Sequence, residues 1–268
     1  MLQALFIISL LQLAPPRLVL APGAVFLDAR GTDVLIGTPD TPPPDSDPEL
    51  KMMVRLETGG RKRPWAFADR AVSHASFRGD HAIVVVTPDG ALVDVPRAAG
   101  RAETTLDRDV MGPVGSSADG RFVVYAKGQA PDTDIVWLDR ASGVKAPVSS
   151  GFAPAWSPGV AADGQLVVFV SGKTGRPCLY VAVRRGDAAL AAPSRIPLKS
   201  EVFPASLSPT RVLGDRVAFE GERGSYLVTL DGQHADFKAG AKAPAWLEPG
   251  RLLGVLEGQA LVAWRPSP

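Results

Sequence analysis

A period of about 40 residues constrains this chain more than any other feature. A unit that short cannot bury a core of its own, so it must stack on copies of itself. Similar places recur at Pro22, Ser73, Pro113, Pro154, Pro204 and Pro244, in steps of about 40 or about 50 residues. Each unit opens with a small turn rich in Gly or Asp, such as "RGDH" at Arg78, "ADGR" at Ala118 or "ADGQ" at Ala162. An apolar run follows at once, as in "AIVVV", "FVVYA" and "LVVFV". A loop then leads to a second run, such as "DIVWL", "CLYVAV" or "SYLVTL", and a weaker polar run closes most units. Short runs rich in Val, Ile and aromatics favour strands over helices.

Four strands of about six residues, with short turns, sum to about 40 residues. One such sheet leaves both faces bare, whereas six packed face to face in a ring cover them all. The expected fold is therefore all-β: a six-bladed β-propeller of four-stranded antiparallel blades. The sixth unit stops soon after Trp264 with only three strands, and "RLVLA" (residues 17–21) is a strand without a unit. That segment is expected to supply the outer strand of the last blade and close the ring, removing an exposed sheet edge. Residues 17–268 then form a single domain.

Composition agrees. Of 268 residues, 46% are hydrophobic, and 27 Gly with 25 Pro make the chain turn-rich. Its 29 basic and 28 acidic residues leave a net charge of +1, which gives no field to draw it onto nucleic acid or an anionic membrane. The lone Cys178, in "CLYVAV", permits no intrachain disulfide and reads as a buried, inert thiol. Residues 1–16 begin with an uncharged run from Leu2 to Ala14, too short to span a bilayer. They read as a secretory signal or a docked apolar segment, although no basic residue precedes the run and no clean cleavage site follows it.

"PAWSP…ADGQLVVFVSGKTGRPCLYVAV" resembles the repeat of TolB-type propellers, also called WD40-like or PD40 repeats, and "SSADGRFVVYAKGQAPDTDIVWLD" fits the same pattern without its Trp. The resemblance is good over residues 110–265 and poor over 17–109. TolB proteins carry an α/β domain ahead of the propeller, and no such domain is expected here. The resemblance implies protein or peptide partners in the cell envelope, hence a periplasmic or extracellular location.

Catalytic signatures are weak. "SGKTG" at Ser171 has Val167 where a phosphate loop needs Gly, so it reads as a hairpin loop. Neither "GSSAD" nor "GSYLV" completes a nucleophile elbow. Asp119–Gly120 and Asp163–Gly164 read as turn chemistry. "GGRKRP" at Gly59 reads as a solvated outer turn, and "DTPPPDSDPE" as a stiff excursion rather than a calcium loop. Of His74, His81 and His234, only His74 is placed to approach the central channel, and no metal or cofactor is expected. Trp156 and Trp246, in two copies of "APAW", read as equivalent packing wedges between blades.

In a propeller the loops entering strand one and those joining strands two and three share one end of the ring. The second set here (Gly37–Leu50, Lys127–Thr133, Ser171–Pro177 and Gly221–Gly224) is long and charged. Asp132, Asp134, Lys173, Arg176, Glu222 and Arg223 are thus the candidate binding residues, around the channel mouth. The leading expectation is a monomeric, non-enzymatic binding or scaffold module with a protein or peptide partner, no nucleic acid and no transmembrane span. The alternative is a small propeller enzyme, lactonase-like or a glycan-acting hydrolase or lyase, with its site in the channel.

Overall fold

The computed structural model describes residues 18–39, 51–59, 61–63, 65, 70–80, 82–97, 101–185, 189–198, 204, 208–248 and 252–264. The signal reading of residues 1–16, the acidic proline loop and His81 lie outside them. The described residues form a six-bladed β-propeller, and among them no helix is long and apolar enough to cross a membrane.

Blade 1 runs outward through Val25–Arg30, Asp33–Pro39, Met52–Thr58 and Arg61–Arg63. Blade 2 is His74–Arg78, Ala82–Val86, Leu92–Pro96 and Thr104–Asp107; blade 3 is Val110–Ser116, Phe122–Lys127, Asp134–Asp139 and Val144–Pro147. Blade 4 is Ala155–Val160, Leu166–Ser171, Cys178–Arg185 and Ser194–Arg195. Blade 5 is Arg211–Leu213, Arg216–Gly221, Gly224–Thr229 and Ala235–Ala239, with Pro204 bridged to Gly221 ahead of its innermost strand. Blade 6 is Ala241–Glu248, Leu252–Glu257 and Ala260–Trp264, and its outermost strand is Leu18–Val19 from the other end of the chain. Leu18 pairs with Leu261 and Val19 with Ala260, so the N-terminal strand closes the ring.

The middle strands read as unbroken apolar runs because both faces of every blade are covered. Successive residues serve opposite interfaces: Ile83 and Val85 pack toward blade 1, while Val84 and Val86 pack toward blade 3. The same alternation sends Val123 and Tyr125 one way and Phe122, Val124 and Ala126 the other. Among the described residues the buried apolar side chains fall into six clusters, one per blade interface. The sixth joins Phe26, Ala29, Val34 and Ile36 of blade 1 to Ala245, Leu247 and Leu261 of blade 6, with Leu20 of the closing segment beside them. A ring with an open seam would lack that cluster.

Two expectations need correction. "RKR" at Arg61–Arg63 is not a turn but the exposed outermost strand of blade 1, where three cations guard an edge against further pairing. The two "APAW" tryptophans are not equivalent. Innermost strands of blades 3, 4 and 6 carry a bulge, at Gly112–Pro113, Ser157–Pro158 and Ala243–Pro244, as the register shifts show. Aligned on the bulge, Trp156 comes before it, opposite Val170, and Trp246 after it, opposite Leu253. The bulge turns the face of the strand. Trp156 accordingly faces forward, against the blade 4–5 cluster that includes Val212, Val217 and Phe219, and Trp246 faces backward, in the blade 5–6 cluster with Ala218 and Leu227. The Asp-Gly pairs behave as turns: Asp119 accepts from Arg121 N at 3.0 Å and Asp163 from Gln165 N at 2.9 Å.

Candidate functional site

The entrances to the innermost strands of blades 1, 2, 3 and 5 and the second-to-third-strand loops of blades 2 and 3 surround a cavity of about 770 Å³. This is the end of the ring singled out from the loops. Its walls are mainly apolar, from Phe26, Leu27, Met52, Val110, Met111 and Pro113. Polar groups are few: Ser73, His74, Thr87, Asp89, Asp109, Gln129 and Ser208. Ser73 is committed to the Val86 carbonyl, through its Oγ at 3.1 Å and its N–H at 2.8 Å. Ser208 Oγ donates to Glu220 at 3.2 Å. Thr87 Oγ1 donates to Asp89 at 2.5 Å, which holds that exposed carboxyl below the usual carboxylate range.

His74 differs from these. Its Nε2 is buried and has no hydrogen-bond partner. Burial, reinforced by the charge of Arg211, lowers its pKa to about 3, so the imidazole is neutral at any ordinary pH. Glycine at position 112 makes this close packing possible, because a Cβ there would lie 2.4 Å from His74 Cβ.

One step deeper along the same innermost strands lies a cross-axis ion pair. Phe26 and Leu27 line the cavity and Asp28 follows; Ser208 and Pro209 line it and Arg211 follows. Arg211 Nη2 donates to Asp28 Oδ1 at 2.7 Å, and its Nε to the Pro244 carbonyl at 3.3 Å. The pair runs from blade 5 to blade 1 past blade 6, with side chains only 5% and 4% exposed. Phe77 N and Ala29 N also donate to Asp28, each at 2.9 Å. Burial pushes the Asp28 carboxyl above its ordinary range, against the pull of Arg211, the two N–H groups and Arg30. The pair itself does not line the cavity; it lies further along two of the strands whose entrances do.

None of the six candidate binding residues lines this cavity. Asp132 belongs to the blade 3 loop that contributes Gln129 and Ala130 to the wall, and is exposed. Asp134 accepts from Ser149 Oγ at 3.0 Å, and that hydroxyl also accepts from Ile135 N at 2.6 Å, so it braces the outer strands of its blade. Lys173 and Arg176 lie in the equivalent loop of blade 4 and Glu222 and Arg223 in that of blade 5, all exposed. The Lys173 ammonium is 4.2 Å from the centre of the Phe152 ring. By connectivity these loops share the cavity's end of the ring.

Asp28 and Arg211 were missed from the sequence. The signal for Asp28 is present in "GAVFLDAR", where a carboxylate stands inside an apolar strand and so calls for a partner.

No family model matches the chain, and no curated protein matches it. Among solved structures, a TolB candidate from Agrobacterium tumefaciens superposes with a TM-score of 0.59 at 16% identity, over 91% of each chain. TolB from Acinetobacter baumannii gives 0.58 at 12% identity, over 91% of this chain and 64% of that one. A gluconolactonase from Xanthomonas campestris gives 0.53 at 12% identity, over 96% and 99%. The fold is that of TolB-type and related β-propellers. This chain spans under two thirds of the A. baumannii TolB, and the likeness at such identities is one of fold.

Proposed function

We propose that the protein is a non-enzymatic binding module of the cell envelope, which takes a peptide segment of a protein partner into the cavity. The observation that carries this reading is the cavity itself: about 770 Å³, with mainly apolar walls, at the end of the ring where the charged loops also emerge. The charged loops bearing Asp132, Lys173, Arg176, Glu222 and Arg223, with Asp134 behind them, form the outer contact surface at the same end.

The enzyme reading draws support from the X. campestris gluconolactonase and from the buried, unpartnered Nε2 of His74. A general base works best with a pKa near the working pH, and at about 3 the His74 imidazole is a poor one. A neutral nitrogen held this way is better suited to a hydrogen bond than to proton abstraction.

A photo-crosslinking side chain at Met111, which is 41% exposed on the cavity wall, tests the proposal in envelope extract. A discrete protein adduct is expected, absent when the probe is moved to Val144 on the outermost strand of blade 3. Lactone hydrolysis by the purified protein, lost in His74→Ala, would instead establish the enzyme reading.

A further inference from the structure

The outermost strand of blade 5, Ala235–Ala239, differs from the other outer edges of the ring. An open edge offers unpaired N–H and C=O groups to any further strand, and proteins blunt it with shortness, proline, bulges or like charge. Blades 4 and 6 end in the two-residue strands Ser194–Arg195 and Leu18–Val19. Blade 1 ends in the three cations Arg61–Arg63, blade 2 in a bulged strand, and blade 3 in Val144–Pro147, which carries a proline. Ala235–Ala239 has five residues, no proline and unbroken register against Gly224–Val228. At its centre Phe237 is 48% exposed. The Phe237 ring stacks on Tyr226, with centroids 4.6 Å apart, and Tyr226 stacks on Phe219 at 5.4 Å. A three-ring ladder thus runs across the blade and stops at solvent.

The bonds at the two ends of this strand fix which of its groups are free. Thr229 N donates to the His234 carbonyl at 3.0 Å, and Gly240 N to the Arg223 carbonyl at 2.9 Å. Inward and outward residues alternate in an antiparallel ladder, so Asp236 and Lys238 bond inward. Ala235, Phe237 and Ala239 direct their N–H and C=O groups outward. We propose that this edge pairs with the same edge of a second copy of the chain, in a two-fold symmetric dimer joined by antiparallel strands. In the register centred on Phe237 the strand is its own complement. Phe237 exchanges both backbone bonds with the partner's Phe237, and the two ring ladders meet end to end. Asp236 faces the partner's Lys238, and Lys238 the partner's Asp236, as pairs whose Cα atoms lie about 4.5 Å apart. Lys238 gives one of its three donors to Glu257 at 2.7 Å and keeps two for this contact. Moving the centre by one residue sets Asp236 against the partner's Asp236, or Lys238 against the partner's Lys238, and like charges directly opposite are unfavourable. Charge therefore selects the register. No residue of this strand lines the cavity, so the dimer is independent of the peptide-binding reading. It replaces the monomer expected from the sequence.

Sedimentation of the purified full chain over a range of concentrations tests this. A reversible monomer–dimer equilibrium is expected, with a dissociation constant of about 1–100 μM, because one strand edge buries less than a standard interface. Asp236→Lys and Lys238→Glu each set like charges opposite one another, and each should weaken the dimer at least about ten-fold. Mixed in equal amounts, the two variants should form a heterodimer about as tight as the native dimer, because every facing pair is again of opposite sign. A role of Lys238 confined to Glu257 gives no such rescue. Ala235→Pro removes an outward N–H and leaves the bonds to Gly224–Val228 in place, so it should abolish the dimer and keep the melting transition. A chain that stays monomeric at every concentration overturns the proposal. A dimer that Ala235→Pro leaves intact overturns the edge pairing, and charge variants that fail to rescue one another overturn the register centred on Phe237.

Discussion

His74 makes the stability of the whole ring depend on pH. In the unfolded chain its imidazole takes up a proton below about pH 6.5, while in the folded chain it stays neutral down to about pH 3. The unfolded state therefore binds more protons in that window, and stability falls as pH falls through it. The loss by pH 4.5 is expected to be about 2–3 kcal/mol. The carboxyls of Asp107 and Asp139, held low by hydrogen bonds from Lys127 and Tyr125 and from Arg121, add losses only in more acid solution. Urea titrations at pH 6.5 and 4.5 measure this, and His74→Leu should flatten the difference; an unchanged slope in that variant assigns it elsewhere. The tryptophans make a second comparison. Trp246 is 8% exposed in the blade 5–6 interface, and its replacement by Ala should cost about 3–5 kcal/mol. Trp156 only borders its cluster, so Trp156→Ala should cost about 1–2 kcal/mol. Equal costs would contradict their placement on opposite sides of the bulge.

At the scale of the strand, ring closure depends on very few residues. Leu18–Val19 is an outermost strand of only two residues, extended by one further bond from Leu20 N to the Gln259 carbonyl at 2.8 Å. Leu20 anchors it, with its side chain in the blade 6–1 cluster. Leu20→Ala should cost about 2–4 kcal/mol and open blade 6 locally. Amide exchange should then rise at Leu253–Trp264 while Phe122–Lys127 in blade 3 stay protected; an equal rise in both would mean that closure is not a local event. This strand was legible in the sequence because a unit with three strands and a strand without a unit point to each other. The repeat itself was legible because each interface imposes period-two burial on both faces, and the apolar runs carry that signature. Bulges left no such mark. "APAW" is identical in both copies, yet the extra bulge residue follows one and lies inside the other, so identity of letters hid a difference of face. "RKR" misled for a similar reason: an exposed edge strand and a solvated turn have the same composition.

Across the whole molecule, the edge strand closes the ring at its outer wall and the Arg211–Asp28 pair braces it at the axis. These two residues lie 183 apart in sequence, and only the curvature of the ring brings them together, so no local pattern announces the contact. Blade 5 is thereby tied to blade 1 directly, across the blade that contains the seam. A buried pair of this kind is strongly coupled, because removing one partner leaves the other charge without compensation. Arg211→Met and Asp28→Asn should each cost about 3–5 kcal/mol, and the double variant well below the sum. Phe77 N and Ala29 N bond different oxygens of Asp28, so Asn keeps an acceptor for only one of them and part of the Asp28→Asn cost is that lost bond; the coupling term of the cycle is what reports the cross-axis contact. A coupling of about 2–3 kcal/mol from urea denaturation is expected. Additive costs would show that the ring holds its shape through the apolar interfaces alone. In that case the pair would be an inert plug near the axis; a large coupling makes it a brace shared by the blades on both sides of the seam.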